Sequence, residues 1–126
     1  MPQIPTCLSE MGASSQRKGA VGERELAGIL RQYGYDIQRG GMVFGEVPDL
    51  IGLPGIHIEC KRVQSLNLDA AMDQSIRDAH KFKDGHPVVI HRKNFESGTS
   101  KGKWKVTMLL DDWLEIYNNS DYPDNK

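Results

Sequence analysis

The stretch VPDLIGLPGIHIECKR, residues 47–62, constrains this chain more than any other. It contains two apolar, β-branched runs separated by Pro54-Gly55, the pattern of a hairpin. Each run carries charge where a buried strand tolerates little: Asp49 on the first, Glu59 and Lys61 on the second. Side chains on a strand alternate faces. Ile56, Ile58 and Cys60 therefore share one face, and His57, Glu59 and Lys61 the other.

The turn decides what Asp49 meets. Pairing Leu53 with Ile56 in a two-residue turn sets Asp49 opposite Cys60. An offset of one residue, Gly52 opposite Ile56, sets Asp49 opposite Glu59. Like charges facing each other across two strands are destabilising, and a cation between them would remove that cost. A metal site here therefore requires a three-residue loop or a bulge.

A third carboxylate comes from the run GAVGERELAGILRQYG, residues 19–34, whose apolar positions recur with a helical period. At 100° per residue, Leu26, Ala27 and Leu30 fall within about 60° of Glu23, and Glu25 at about 200°. Glu23 is thus expected on the core-facing stripe and Glu25 in solvent. Two carboxylates, Asp49 and Glu59, suit Mg²⁺, a hard ion that keeps several waters and binds phosphate oxygens. The Cys60 main-chain carbonyl is a candidate further ligand, and Glu23 would join directly or through a water. Lys61 would orient a water or neutralise charge developing on phosphate. The chemistry of such a set is phosphodiester hydrolysis.

The remaining pattern predicts a strand at 35–39, a glycine-rich loop at 40–45, and a second amphipathic helix over about 68–82. A strand at 87–91, a polar loop at 94–101, a strand at 103–110 and a short helix at 111–117, capped by Asp111 or Asp112, complete it. The order α-β-β-β-α-β-β(-α) implies one α/β domain with a mixed central sheet flanked by helices. Residues 1–16 are expected as a flexible tail, 17–117 as the domain, and 118–126 as an acidic, disordered tail. No apolar run is long enough to span a bilayer. Cys7 and Cys60 make no disulfide framework, and an intracellular setting is expected. The formal net charge is −1. Without the five acids and Lys126 of residues 111–126, 15 of the 16 Lys+Arg face 12 of the 17 Asp+Glu. His57, His80, His86 and His91 have no zinc-finger spacing with the cysteines, and His57 reads as a surface histidine.

Gly19-x-x-x-Glu23-Arg24-Glu25, then Pro48-Asp49, then Glu59-x-Lys61 resembles the PD-(D/E)XK nuclease superfamily. Within it, residues 17–39 look like the opening of archaeal-type Holliday junction resolvases. Their basic-glycine, ERE-type helix and G-[FY]-x-[VI]-x-R strand have counterparts in Arg17-Lys18-Gly19, Glu23–Glu25 and Gly34–Arg39. The resemblance covers residues 17–62. The loop at 40–45 lacks the serine that such resolvases often carry.

The resemblance implies a restriction-endonuclease-like fold and a Mg²⁺-dependent endodeoxyribonuclease, with Mn²⁺ expected to substitute. It implies Glu23, Asp49, Glu59 and Lys61 as catalytic residues, with Gln74 as a possible accessory. Its substrate would be a four-way junction or other branched DNA, cut by a homodimer. A nicking, flap or restriction-type nuclease, or a non-catalytic DNA-binding module of the same fold, is the alternative. Arg17, Lys18, Arg39 and Arg62 are candidate phosphate contacts. Arg92, Lys93, Lys101, Lys103 and Lys105 form a second basic group.

Overall fold

The computed structural model describes residues 7–40, 47–98 and 100–123, with side chains from residue 19 onward. The expected glycine-rich loop therefore lies, beyond Gly40, outside the described residues, as do the side chains of Arg17 and Lys18.

Helix α1 spans Cys7–Gln32. It begins ten residues before Arg17, within the segment expected to be a tail, because no proline interrupts it and Glu, Met, Ala, Gln, Arg and Lys favour a helix. Strands β1 (Gln38–Arg39), β2 (Leu50–Ile51) and β3 (Ile56–Arg62) follow as an antiparallel meander. Helix α2 (Leu68–Phe82) then crosses over to β4 (His86–Arg92), parallel to β3. Asn67 caps α2 by accepting from the Ala70 N–H at 3.0 Å. The expected loop at 94–101 contains a small two-stranded ribbon, β5 (Phe95–Ser97) with β6 (Ser100–Lys101). β7 (Lys105–Met108) pairs antiparallel with β4, and α3 (Leu110–Asn118) ends the described fold. The N-cap of α3 is Leu109, without a side-chain bond; Asp111 and Asp112 lie inside the first turn instead of capping it.

The main sheet has the order β1-β2-β3-β4-β7. Alternation along β3 and β4 assigns its two faces. Ile58, Val88 and Ile90 pack with Leu26 and Ala27 of α1, together with Ile37 and Leu50. Val89 points the other way, onto Ala71 and Met72 of α2. The result is an α/β sandwich with α1 on one face and α2 on the other. Among the described residues, no helix is long and apolar enough to cross a membrane.

The hairpin takes the offset register. Leu50 pairs with Ile58. Counting on, Gly52 falls opposite Ile56, Leu53-Pro54-Gly55 form a three-residue loop, and Asp49 falls opposite Glu59. The Ile56 N–H closes the loop on the Leu53 carbonyl at 3.2 Å. Gly52 and Gly55 hold it with φ of +120° and +77°, values that side chains rarely adopt. From outside, Gly85 (φ +134°) lies so close that a Cβ there would stand 2.2 Å from the Gly55 carbonyl carbon. The His86 N–H bonds the Gly55 carbonyl at 2.8 Å.

Candidate functional site

β2 pairs with β3 only through Leu50. Beyond it the strands part. The Cys60 N–H, which a longer β2 would have bonded with its main chain, donates instead to Asp49 Oδ2 at 3.0 Å. The carbonyl of an extended residue lies on the same side of the strand as its N–H. The Cys60 carbonyl therefore faces the gap that Asp49 occupies, as a main-chain metal ligand would.

Glu59 is only 4% exposed, and its Oε2 lies 3.2 Å from Lys61 Nζ. Burial raises its carboxyl from the ordinary carboxylate range to about 7, and the charge of Asp49 adds to the rise. Burial also raises Asp49, against the lowering effect of the Cys60 N–H and Lys61. Glu23 is raised by burial and by Asp49, and Arg39 opposes this from 3.2 Å. The Cys60 thiol, on the α1 face, experiences all four charges. Burial and then Asp49, Glu23 and Glu59 push it up to about 12, with Lys61 pulling the other way. The four residues selected from the sequence thus converge around residue 60. Glu23 reaches the group from the α1 side, while Glu59 and Lys61 project on the α2 side. Asp49 thus discourages the ionisation of both Glu23 and Glu59, the electrostatics of a cation site.

The other expectations fare differently. Arg17 and Lys18 are interior residues of α1, so no helix N-terminus opens beside them. The Arg39 guanidinium is held by Glu23 Oε1 at 3.2 Å. Arg62 projects on the α1 face, its Cβ near Gly22, and bonds Asn94 at 3.1 Å. These two arginines have internal partners, which leaves them poorly placed as phosphate contacts. Glu25, expected in solvent, grips Arg92 with both oxygens at 3.0–3.2 Å, and Lys101 and Arg62 approach it at 3.7 Å. Arg92, grouped from the sequence with the basic surface, is 3% exposed and lies over the Trp104 ring.

Gln74 is half-buried on α2, one turn before Asp78. Asp78 lies beside Glu59. Lys61 pairs in register with His91, which pairs with Lys105; burial and the Lys105 charge lower the His91 imidazole below its ordinary value. A groove of about 420 Å³ opens beside His91 and Lys105, lined also by Lys93, Glu96, Val63 and Leu66, and Glu96 pairs with Lys105.

Sequence reasoning missed three residues. His57, expected on the surface, is 1% exposed. Its Nδ1 meets both oxygens of Asp84 at 2.9 Å. A ring nitrogen of His57, a Glu59 oxygen and an Asp78 oxygen lie within 4.8 Å of one another. The shared alternation of His57 with Glu59 was the available signal, while nothing local pointed to Asp78 or Asp84. No protein-family model, curated protein or solved structure matches the chain.

Proposed function

We propose that the chain is a divalent-metal-dependent endodeoxyribonuclease with a restriction-endonuclease-like fold, acting on branched DNA as a junction resolvase does. The observation that carries this reading is the register of the hairpin: Leu50 pairs with Ile58, which sets Asp49 across from Glu59 beside Lys61. The antiparallel meander followed by a helical crossover to a parallel strand supports the fold assignment.

The residues fit a hard dication. The half-buried Asp49 repels the buried Glu59, and the Cys60 carbonyl faces the same gap. Asp49, Glu59 and that carbonyl would hold Mg²⁺ or Mn²⁺, with Glu23 joining directly or through a water. When bound, the ion would polarise the scissile phosphodiester and acidify a water. Glu59 orients the Lys61 ammonium, which would donate to a non-bridging phosphate oxygen as charge builds there. Arg39 fixes the Glu23 carboxylate. Gln74, one turn before Asp78 on α2, would be an accessory donor to the phosphate. Lys93 would meet the backbone along the groove, where Lys105 is already paired with Glu96.

Two symmetric cuts need two sites, hence a homodimer. The exposed Val106, Leu110, Trp113 and Leu114 on β7 and α3 supply an apolar surface for the second copy. A reduced Cys60 suits an intracellular protein.

The test incubates the protein with four-way junction, flap and linear duplex, in Mg²⁺ or in EDTA. Paired cuts at the junction in Mg²⁺ alone are expected, and Asp49→Ala and Glu59→Ala abolish them. Cleavage that survives both substitutions would reject the site. Binding without cleavage under any metal would leave a DNA-binding module instead.

A further inference from the structure

His57 is the least explained group in the protein. Its ring is buried between β3 and the end of α2, stacked at 6.2 Å on Phe82. Asp84 occupies Nδ1 from 2.9 Å. The opposite nitrogen, Nε2, is buried and has no hydrogen-bond partner among the described residues. An unpartnered polar atom at such depth is costly. Glu59 and Asp78 nevertheless lie nearby, each with an oxygen within 4.8 Å of the ring's ligand atom and of the other.

Histidines that bind metals characteristically give their second nitrogen to a carboxylate, which fixes the tautomer and orients the ring. Asp84 does this for His57. With Nδ1 carrying the proton toward Asp84, Nε2 keeps its lone pair. We infer that His57 Nε2, Glu59 and Asp78 form a binding site for a first-row transition dication of the Zn²⁺ class, oriented by Asp84. The site stands whether or not the chain cleaves DNA.

The donor set favours that class. One imidazole and two carboxylates suit Zn²⁺, whereas Mg²⁺ prefers an all-oxygen shell with several waters. Tetrahedral Zn²⁺, with bonds of about 2.0–2.2 Å, places its donors roughly 3.3 Å apart. From separations of up to 4.8 Å, the three donors need to draw together by up to about 1.5 Å. Asp78 is half-buried on a helix and can supply that by side-chain rotation. Glu59 gives one oxygen to Lys61 and retains a second. It is common to this site and to the Asp49 site, so its carboxylate can bridge two ions on the α2 side of the sheet.

A surface group, His86 with Asp112 at 3.3 Å and Glu115 at 2.9 Å, can also attract Zn²⁺. The experiment is therefore run on tag-free protein carrying His86→Ala. Zn²⁺ alone is titrated against a chromophoric chelator in millimolar Mg²⁺, with circular dichroism confirming the fold of each variant. One bound Zn²⁺ is expected, with a shift of the His57 Nε2 resonance in ¹⁵N NMR. Asp78→Asn and Asp84→Asn should each weaken binding by about tenfold or more, and Asp49→Asn should weaken it far less. Three results would overturn the site: no Zn²⁺ bound, unaltered affinity in both the Asp78 and Asp84 variants, or a loss in Asp49→Asn equal to theirs. Cleavage is read separately. Loss of cutting in Asp49→Asn with Zn²⁺ binding largely retained separates the two centres.

Discussion

Glu59→Gln should make the metal-free protein more stable at alkaline pH while destroying the site. Glu59 ionises at about 7 in the fold, against an ordinary value of 4.5. That difference of roughly 2.5 units corresponds to about 3 kcal/mol at roughly 1.4 kcal/mol per unit. The folded state holds the proton more tightly than the unfolded chain. Its advantage is complete below about pH 4.5 and is lost as pH rises through about 7. At pH 8 the ionised Glu59 is thus a burden, one that a neutral amide of the same shape does not carry. The attraction of Lys61 is already included in the shifted value. Glutamine should therefore gain about 2–3 kcal/mol at pH 8, or roughly 10 °C in melting temperature for a domain of this size. At pH 5 the gain should be small. Calorimetry in EDTA across pH 5–8 measures the widening gap. Saturating Mg²⁺ should raise the wild type and leave the variant unmoved. A variant no more stable than wild type at pH 8, or a gap that ignores pH, would refute the claim that burial and repulsion strain this carboxylate.

Other perturbations test other parts of the molecule. Lys61→Met removes a charge that lowers the Glu59 carboxyl, so Glu59 should titrate above 7. Mg²⁺ binding, followed by calorimetry, should then move to higher pH, with cleavage lost. Glu25→Gln leaves the buried Arg92 without its anion and should cost about 3 kcal/mol in urea unfolding; a loss below 1 kcal/mol would show that Lys93 and Asn94 carbonyls hold Arg92 unaided. Gly85→Ala drives a Cβ into the Gly55 backbone and should cost at least about 3 kcal/mol by the same assay.

Much of this arrangement is legible in the sequence because it follows from local periodicity. The helical stripe at Leu26, Ala27 and Leu30, the alternation along Ile56–Arg62 and the break at Pro54-Gly55 are all short-range signals. They correctly assign the helix that bears Glu23 and the strand faces of Glu59 and Lys61. Register was not legible. It depends on two glycines at positive φ, Gly52 and Gly55, and on a third, Gly85, thirty residues beyond Gly55 and pressing on it. Nor was the inward turn of Glu25 and His57. Each sits where a helical wheel or a strand alternation allows solvent, and each is drawn inward by a distant partner, Arg92 for one and α2 with Asp84 for the other. The extent of α1 was underestimated because residues 7–16 carry little apolar pattern, and helix propensity alone extends the element there.

The contact of Gly85 with Gly55 also bears on the order of assembly. Residues 47–62 contain two of the three carboxylates, the lysine and the turn, yet the clamp on that turn lies beyond α2. A chain that has reached Arg62 already contains α1 and the β1-β2-β3 meander, but β2 is joined to β3 through the single pair Leu50–Ile58. One-residue slippage there would set Asp49 opposite Cys60, on the α1 face, and abolish its pairing with Glu59. Gly85, delivered by the fold-back of α2, adds a clamp on the turn that holds the register. The pairing of Asp49 with Glu59 is thus guarded by a glycine that is no ligand.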